Sequence, residues 1–201
     1  MTIVSQPSTP TPSRRPTVTL PTPPLTVADL DEIGLDDPRL ELVDGMWIVR
    51  PWPTPLRTRV TQRLSRLLAA AAPDGAAAVA HRIPVQINER TELSPDIVVR
   101  PPSDDPPRRL IDSPQLVVEV AEPANRRYDR TVKLDLYRER GVPAVWLVDP
   151  AAPSVSAWEL VEDVYLLAGT ATGAEELRLT RPFPITLVPA DLVRPPSTDP
   201  D

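Results

Sequence analysis

Two carboxylates and one lysine are the residues of this chain whose types and positions could do chemistry together. Asp96 follows Pro95 and opens the run DIVVR, and Glu119 stands near the end of QLVVEVA at 115–121. Both runs are β-branched and read as short strands joined by a proline-rich loop. If they pair antiparallel, position 100 comes opposite about 116 and position 96 opposite about 120, which sets Asp96 and Glu119 beside each other at one end. Like charges placed there repel unless a cation lies between them, and an oxygen-only pair suits Mg²⁺. The plain alternative is two acids on the wet face of a sheet. Against it, Glu119 shares its face with Val117 and Ala121, while Leu116, Val118 and Val120 take the other.

The lysine is singled out by composition. Of 22 basic residues, Lys133 alone is not arginine. With 29 prolines and abundant alanine, this bias reads as a GC-rich coding sequence in which Arg has replaced Lys wherever either serves. A surviving Lys then marks a place for a compact ammonium rather than a broad planar fork. Asp129, Lys133 and Tyr137 fall at i, i+4 and i+8, one stripe of a helix. The plain alternative is an Asp–Lys surface pair with tyrosine packed beneath.

Composition excludes several other chemistries. There is no cysteine, hence no disulfide, thiolate nucleophile or cysteine metal site. The single histidine, His81, precludes a histidine cluster and reads as an ordinary strand residue. No apolar run approaches the roughly 18 residues needed to span a bilayer, and the N-terminus lacks the apolar core of a signal peptide. The expectation is a soluble, cytoplasmic protein without a membrane partner. A net charge of −6 argues mildly against purely electrostatic nucleic-acid binding but leaves room for a local basic face. Arg59, Arg63 and Arg66 on one helix stripe, and Arg126, Arg127 and Arg130 at the start of another, are candidates for phosphate contact, with solvated faces as the commoner alternative.

The elements that must position these residues follow from pattern. Residues 1–24 and 194–201 are Pro/Ser/Thr-rich and read as disordered tails around one domain at 25–193. Thr26 and Asp29 make a capping box for a helix over VADLDEI. LELVDGMWIV reads as a hairpin turning at Asp44-Gly45. Leu56, Val60, Leu64, Leu67 and Leu68 form the face of a long helix ending near Pro73. AVAHRIPVQI (78–87) reads as one strand with an edge or bend at Pro84. A helix over 127–140 closes at Gly141, and AVWLVD (144–149), with Trp146 in the core, is a buried strand. A hairpin around Glu162-Asp163 and a strand at ELRLT follow. The fold class is α/β (α+β): a mixed β-sheet flanked by helices.

ELVDG (41–45), PDIVV (95–99), LVVEVAEP (116–123) and DRTVKLDLYRERGVPAVWLVDP (129–150), in that order, resemble the putative restriction endonuclease family, the Uma-type branch of the PD-(D/E)XK nucleases. The resemblance covers roughly 26–190. It implies a restriction-endonuclease-like mixed sheet, and Mg²⁺-dependent (alternatively Mn²⁺-dependent) hydrolysis of phosphodiesters with DNA as substrate. By analogy it implies a homodimer. It places Asp96 at the PD acid and Glu119 at the (D/E) acid, the two metal ligands. Ala121 stands where the superfamily lysine usually lies, and Lys133 matches the helix-borne lysine of this branch. Glu41 matches the acid of the early ELxDG segment, with a role of binding metal through water or holding Lys133. The chain departs from the family pattern at Glu122 for serine, at Arg57 for histidine, and at Ala144-Val145 for Glu-Tyr. The competing expectations are a catalytically weakened nuclease-like module that binds or regulates, and an unrelated Mg²⁺ phosphohydrolase using the same acids.

Overall fold

The computed structural model describes residues 22–195 apart from 35, 36, 38, 75, 76, 105, 106 and 123–125, so of the tails expected at 1–24 and 194–201, residues 1–21 and 196–201 lie outside the described residues. Helix α1 (Val27–Ile33) carries the capping box expected of it: Thr26 Oγ1 accepts from the Asp29 N–H while Asp29 Oδ2 accepts from the Thr26 N–H at 2.6 Å. Strands β1 (Leu40–Val43) and β2 (Met46–Val49) form the hairpin. Asp44 and Gly45, at φ 48° and 78°, supply its two left-handed turn residues. Helix α2 (Pro55–Ala71) follows with Thr54 as N-cap.

The 78–87 run is not one strand. It divides into β3 (Ala78–His81) and β4 (Val85–Asn88), which belong to different sheets. Arg82, at φ 49°, and Pro84 turn the chain between them. Strands β5 (Thr91–Leu93), β6 (Ile97–Arg100) and β7 (Leu116–Val120) come next. One continuous helix then runs through α3 (Arg126–Tyr128), a π-helical turn (Asp129–Lys133) and α4 (Leu134–Glu139), and turns out at Gly141 at φ 73°. Strands β8 (Ala144–Asp149), β9 (Ser154–Val161) and β10 (Val164–Thr172), the short pair β11 (Leu177–Leu179) and β12 (Ile185–Leu187), and helix α5 (Pro189–Val193) complete the domain.

A six-stranded mixed sheet, ordered β10-β9-β8-β7-β6-β3, is the centre. Among the described residues of this sheet only β7 and β8 pair in parallel, with the α3–α4 helix between them in the chain. Both faces of its middle strands are buried, which is why they are near-continuous Val/Leu/Ile runs. One face packs Leu116, Val118, Val120 and Trp146 against Val60, Leu64 and Leu68 of α2 and against β11, β12 and α5. The other packs Val98, Val117 and Val145 against Tyr137 of α4 and against β4 and β5 of a four-stranded sheet ordered β2-β1-β5-β4. Leu25, Val27, Leu30 and Leu42 fill a third, smaller core under α1. Among the described residues no helix is long and apolar enough to cross a membrane.

Candidate active site

Strands β6 and β7 pair one residue off the expected register. Ile97 faces Val118 and Val99 faces Leu116, so Asp96, just before β6, comes level with Glu119 itself. The Asp96 N–H donates to the Val118 carbonyl at 3.1 Å, and its Oδ2 accepts from the Val120 N–H at 2.8 Å. The acid thus caps the strand pair it opens. The shift brings the two carboxylates closer in register than the sequence suggested, at the end of β7 where the parallel β8 lies alongside.

Glu119 is wholly buried, and so is Lys133. The Lys133 ammonium donates to Glu119 Oε1 at 2.9 Å and to Glu41 Oε1 at 2.7 Å, and lies 3.7 Å from Asp129 Oδ1. Tyr137 Oη donates to the same Glu119 oxygen at 2.6 Å. The π-turn explains why this stripe holds its line. Residues four apart overshoot an α-turn and fall short of the wider π-turn, so the drift from Asp129 to Lys133 opposes that from Lys133 to Tyr137. The wet-surface alternative for Asp129–Lys133 does not hold, because both side chains face the interior.

Glu41 reaches the cluster because β1 alternates. Leu42 enters the small core under α1, while Glu41 turns the other way, toward Lys133. It also accepts from the Ser94 N–H at 3.2 Å and from Arg50 Nη1 at 3.3 Å. Arg50 follows β2 directly and lies 3.5 Å from Glu119 Oε2. Arg57, in the first turn of α2, places Nη2 at 2.7 and 2.9 Å from the two oxygens of Asp96. Glu122 is not turned on the cluster: its Oε1 accepts from the Thr54 N–H at 2.9 Å, at the positive end of α2.

Electrostatics follow this interleaving of acids and bases. Burial works against charge on Lys133, but Glu119 and Glu41 outweigh it and hold the pKa above the ordinary lysine value. Burial likewise opposes charge on Glu119, yet Lys133 and Arg50 hold its carboxyl below the usual range. Asp129 goes the other way. Burial, then the charge of Glu119, pushes it up to about 7, and neither of its oxygens has a hydrogen-bond partner. Tyr137 is raised well above its ordinary value by burial and by Glu119, so it remains a donor.

Asp96, Glu119, Lys133 and Glu41 are therefore brought to one region. Sequence reasoning missed two of its members and the standing of a third. Arg50 carried no signal among 21 arginines. Arg57 stood out as a departure from the family pattern, but nothing showed that it would grip Asp96. Asp129 was placed on the Lys133 stripe, with a surface pair as the plain alternative, but nothing local showed that its carboxyl would be buried without a hydrogen-bond partner. Of the basic stripe on α2, Arg63 is committed to the carbonyls of Asp191, Leu192 and Arg194, whereas Arg59 and Arg66 line an open groove.

Among the described residues no group of three or more acids or histidines is arranged as a ready metal cage. The donor chemistry nevertheless suits a hard divalent cation. The carboxylates are oxygen-only, and Oε2 of both Glu119 and Glu41 is buried without a hydrogen-bond donor. At Glu119 the oxygen offered to a cation lies 3.5 Å from Arg50. At Asp96 the fit requires Arg57 to let go.

The comparisons agree with this architecture. A family model described as Uma2, putative restriction endonuclease, matches residues 27–192. The fold is similar to a crystal structure of a putative nuclease belonging to DUF820 from Anabaena variabilis, with a TM-score of 0.69 at 18% identity over 85% of this chain and 98% of that one. No curated protein matches. A buried acid–lysine centre at the end of a mixed sheet, in a chain matched by that family model from α1 to α5, leads to one assignment: the chain belongs to the Uma2 family of putative restriction endonucleases.

Proposed function

We propose that this domain is a divalent-metal-dependent endonuclease that hydrolyses phosphodiester bonds in DNA. The observation that carries the reading is the wholly buried Lys133 held between Glu41 and Glu119, the latter level with Asp96 across the β6–β7 pair. Burying an ion network costs several kcal/mol per ion unless geometry and hydrogen bonds offset it, so the arrangement is a poor way merely to stabilise a fold.

Asp96 and Glu119 would hold Mg²⁺ or Mn²⁺, with Glu41 behind them. When bound, such an ion supplies charge neutralisation at a phosphate oxygen and lowers the pKa of water. The chain's own residues supply orientation. Lys133 is closed off from solvent and spends its donors on carboxylates, so it acts as a positioning residue. It holds Glu119 and Glu41 in place through its hydrogen bonds and favours the charged form of Glu119, rather than touching substrate from where it stands. Tyr137 fixes the same Glu119 oxygen from below. Arg59 and Arg66 offer charge to a phosphate backbone along α2. By analogy with the family, a homodimer would be the form that cuts both strands.

A specific observation favours the second reading, a catalytically weakened module: Arg57 occupies both oxygens of Asp96. The test compares a labelled duplex DNA, the same sequence as RNA, and p-nitrophenyl phosphate, each with Mg²⁺ or Mn²⁺. Internal cleavage of DNA alone supports the proposal. Turnover of the small ester alone points to a phosphohydrolase, and binding of duplex without turnover supports the weakened module.

A further inference from the structure

We propose that Arg57 is an internal counter-ion that keeps Asp96 closed, and that a backbone phosphodiester of nucleic acid, docking against Arg57 and Arg82, draws it off. On this scheme phosphate and divalent cation bind cooperatively. The inference rests on the nuclease reading above and adds to it an anion site and its consequence.

Three observations carry it. First, Arg57 is 3% exposed and engages Asp96 through Nη2 alone, while its buried Nε has no hydrogen-bond partner. A guanidinium has five donors, and a buried one left idle carries a desolvation cost that an incoming acceptor would relieve. Second, Arg82 sits at the left-handed break between β3 and β4 and lines the same cleft as Arg57 and Asp96. It makes no salt bridge among the described residues, although its charge acts on Asp37 from farther off, so its donors are open to an incoming anion. Third, the space is divided to match. A niche bounded by Arg39, Arg50, Arg57, Arg82 and Asp96 has only about 10 Å³ of room, space for a single water. The adjoining cleft, walled by Trp52, Thr58, Gln62 and His81, offers about 300 Å³ and opens to solvent. A phosphate fits the cleft and not the niche.

The exchange is one of partners for a fixed charge. With Arg57 on Asp96 the carboxylate is neutralised, and a cation must displace the one guanidinium nitrogen that holds both of its oxygens. With Arg57 turned to a phosphodiester monoanion, Asp96 is left beside Glu119 without its counter-ion, with its need for a cation restored. By linkage, whatever factor the duplex adds to cation affinity, the cation adds to duplex affinity.

The test is Mn²⁺ titration of the full chain by calorimetry, with and without a short phosphorothioate DNA duplex shown by gel to stay intact. For the wild type the duplex should tighten Mn²⁺ binding by about tenfold or more, within the usual range of coupling between sites. Arg57→Gln should bind Mn²⁺ about tenfold more tightly than wild type without duplex, and gain little when duplex is added. Arg82→Gln should behave as wild type without duplex and lose most of the tightening. Melting curves of Arg57→Gln and of the charge-retaining Arg57→Lys establish folding. If Arg57→Gln does not fold, wild type and Arg82→Gln with and without duplex decide. Equal Mn²⁺ affinity with and without duplex, or in wild type and Arg57→Gln, overturns the proposal while leaving the metal reading standing. No Mn²⁺ binding to any folded form under either condition removes the metal reading, and this proposal with it.

Discussion

Replacing Lys133 by methionine removes the one ammonium of the buried cluster while keeping most of the side-chain volume. In the native arrangement that ammonium donates to Glu41 at 2.7 Å and to Glu119 at 2.9 Å, and no atom of the residue reaches solvent. After substitution Arg50 remains, at 3.3 and 3.5 Å from the same two acids, as their only cation in salt-bridge range among the described residues. Removing one partner of a buried ion pair costs about 3–5 kcal/mol, because the other charge is stranded. In a domain of this size each kcal/mol moves the melting temperature by roughly 2–4 °C, so Lys133→Met should melt roughly 6–20 °C lower, from those same per-kcal slopes. A solvent-exposed pair would cost at most about 1 kcal/mol, so the two cases separate in one thermal scan followed by circular dichroism. Adding Glu119→Gln should restore part of the loss, a coupling of about 0.5–3 kcal/mol between contacting residues. Lys133→Arg should also destabilise, since a broader group has to enter a filled space at a cost of about 1–3 kcal/mol. A melting temperature for Lys133→Met within about 2 °C of wild type, which is under 1 kcal/mol, would refute the claim that this lysine is a buried counter-ion.

Asp129 gives a pH test with a definite sign. Its pKa is raised to about 7 from an ordinary 3.8, so the folded state holds its proton more tightly than the unfolded one. The stability it contributes is full below about pH 4 and is lost as pH rises through about 7. Asp129→Asn should therefore gain on wild type across that window, by at most about 1.4 kcal/mol per pH unit, and level off above it. A stability difference flat from pH 4 to 8 in urea unfolding contradicts the buried, unpartnered carboxyl. Gly45→Ala tests the hairpin. At φ 78° a Cβ there would lie 2.7 Å from the Pro24 Cβ and 2.9 Å from the Leu25 nitrogen, so strain and overpacking should cost about 1–3 kcal/mol; an unchanged denaturation midpoint would argue against that packing.

Much of the framework was legible because it is local. The capping box at Thr26, the hairpin at Asp44-Gly45, the Val60, Leu64 and Leu68 face of α2 (Leu67, counted in that face, is exposed) and the buried AVWLVD strand each declare themselves within a few residues. The pairing of Asp96 with Glu119 was legible to within one residue, since the loop between β6 and β7 fixes antiparallel pairing but not its register. What escaped was set by tertiary contact. Pro84 marked a bend in residues 78–88, but nothing local tells that the two halves it separates join different sheets. Strands β5 and β12 and helix α5 are too short to carry a periodic signal. The arginines that complete the site, Arg50 and Arg57, come from a strand end and a helix start, and among so many arginines neither position marks its partner.

The central claim is that the buried acids around Lys133 form a hydrolytic centre for internal phosphodiester bonds. Its most direct test is incubation of covalently closed circular DNA with the wild-type chain and with Glu119→Gln, in Mn²⁺ and again in EDTA. The expected result is conversion to nicked and linear forms by the wild type in Mn²⁺ alone, with Glu119→Gln folded but inert. Cleavage that survives Glu119→Gln, or a folded wild type that leaves the circle intact at every Mn²⁺ concentration, would contradict it.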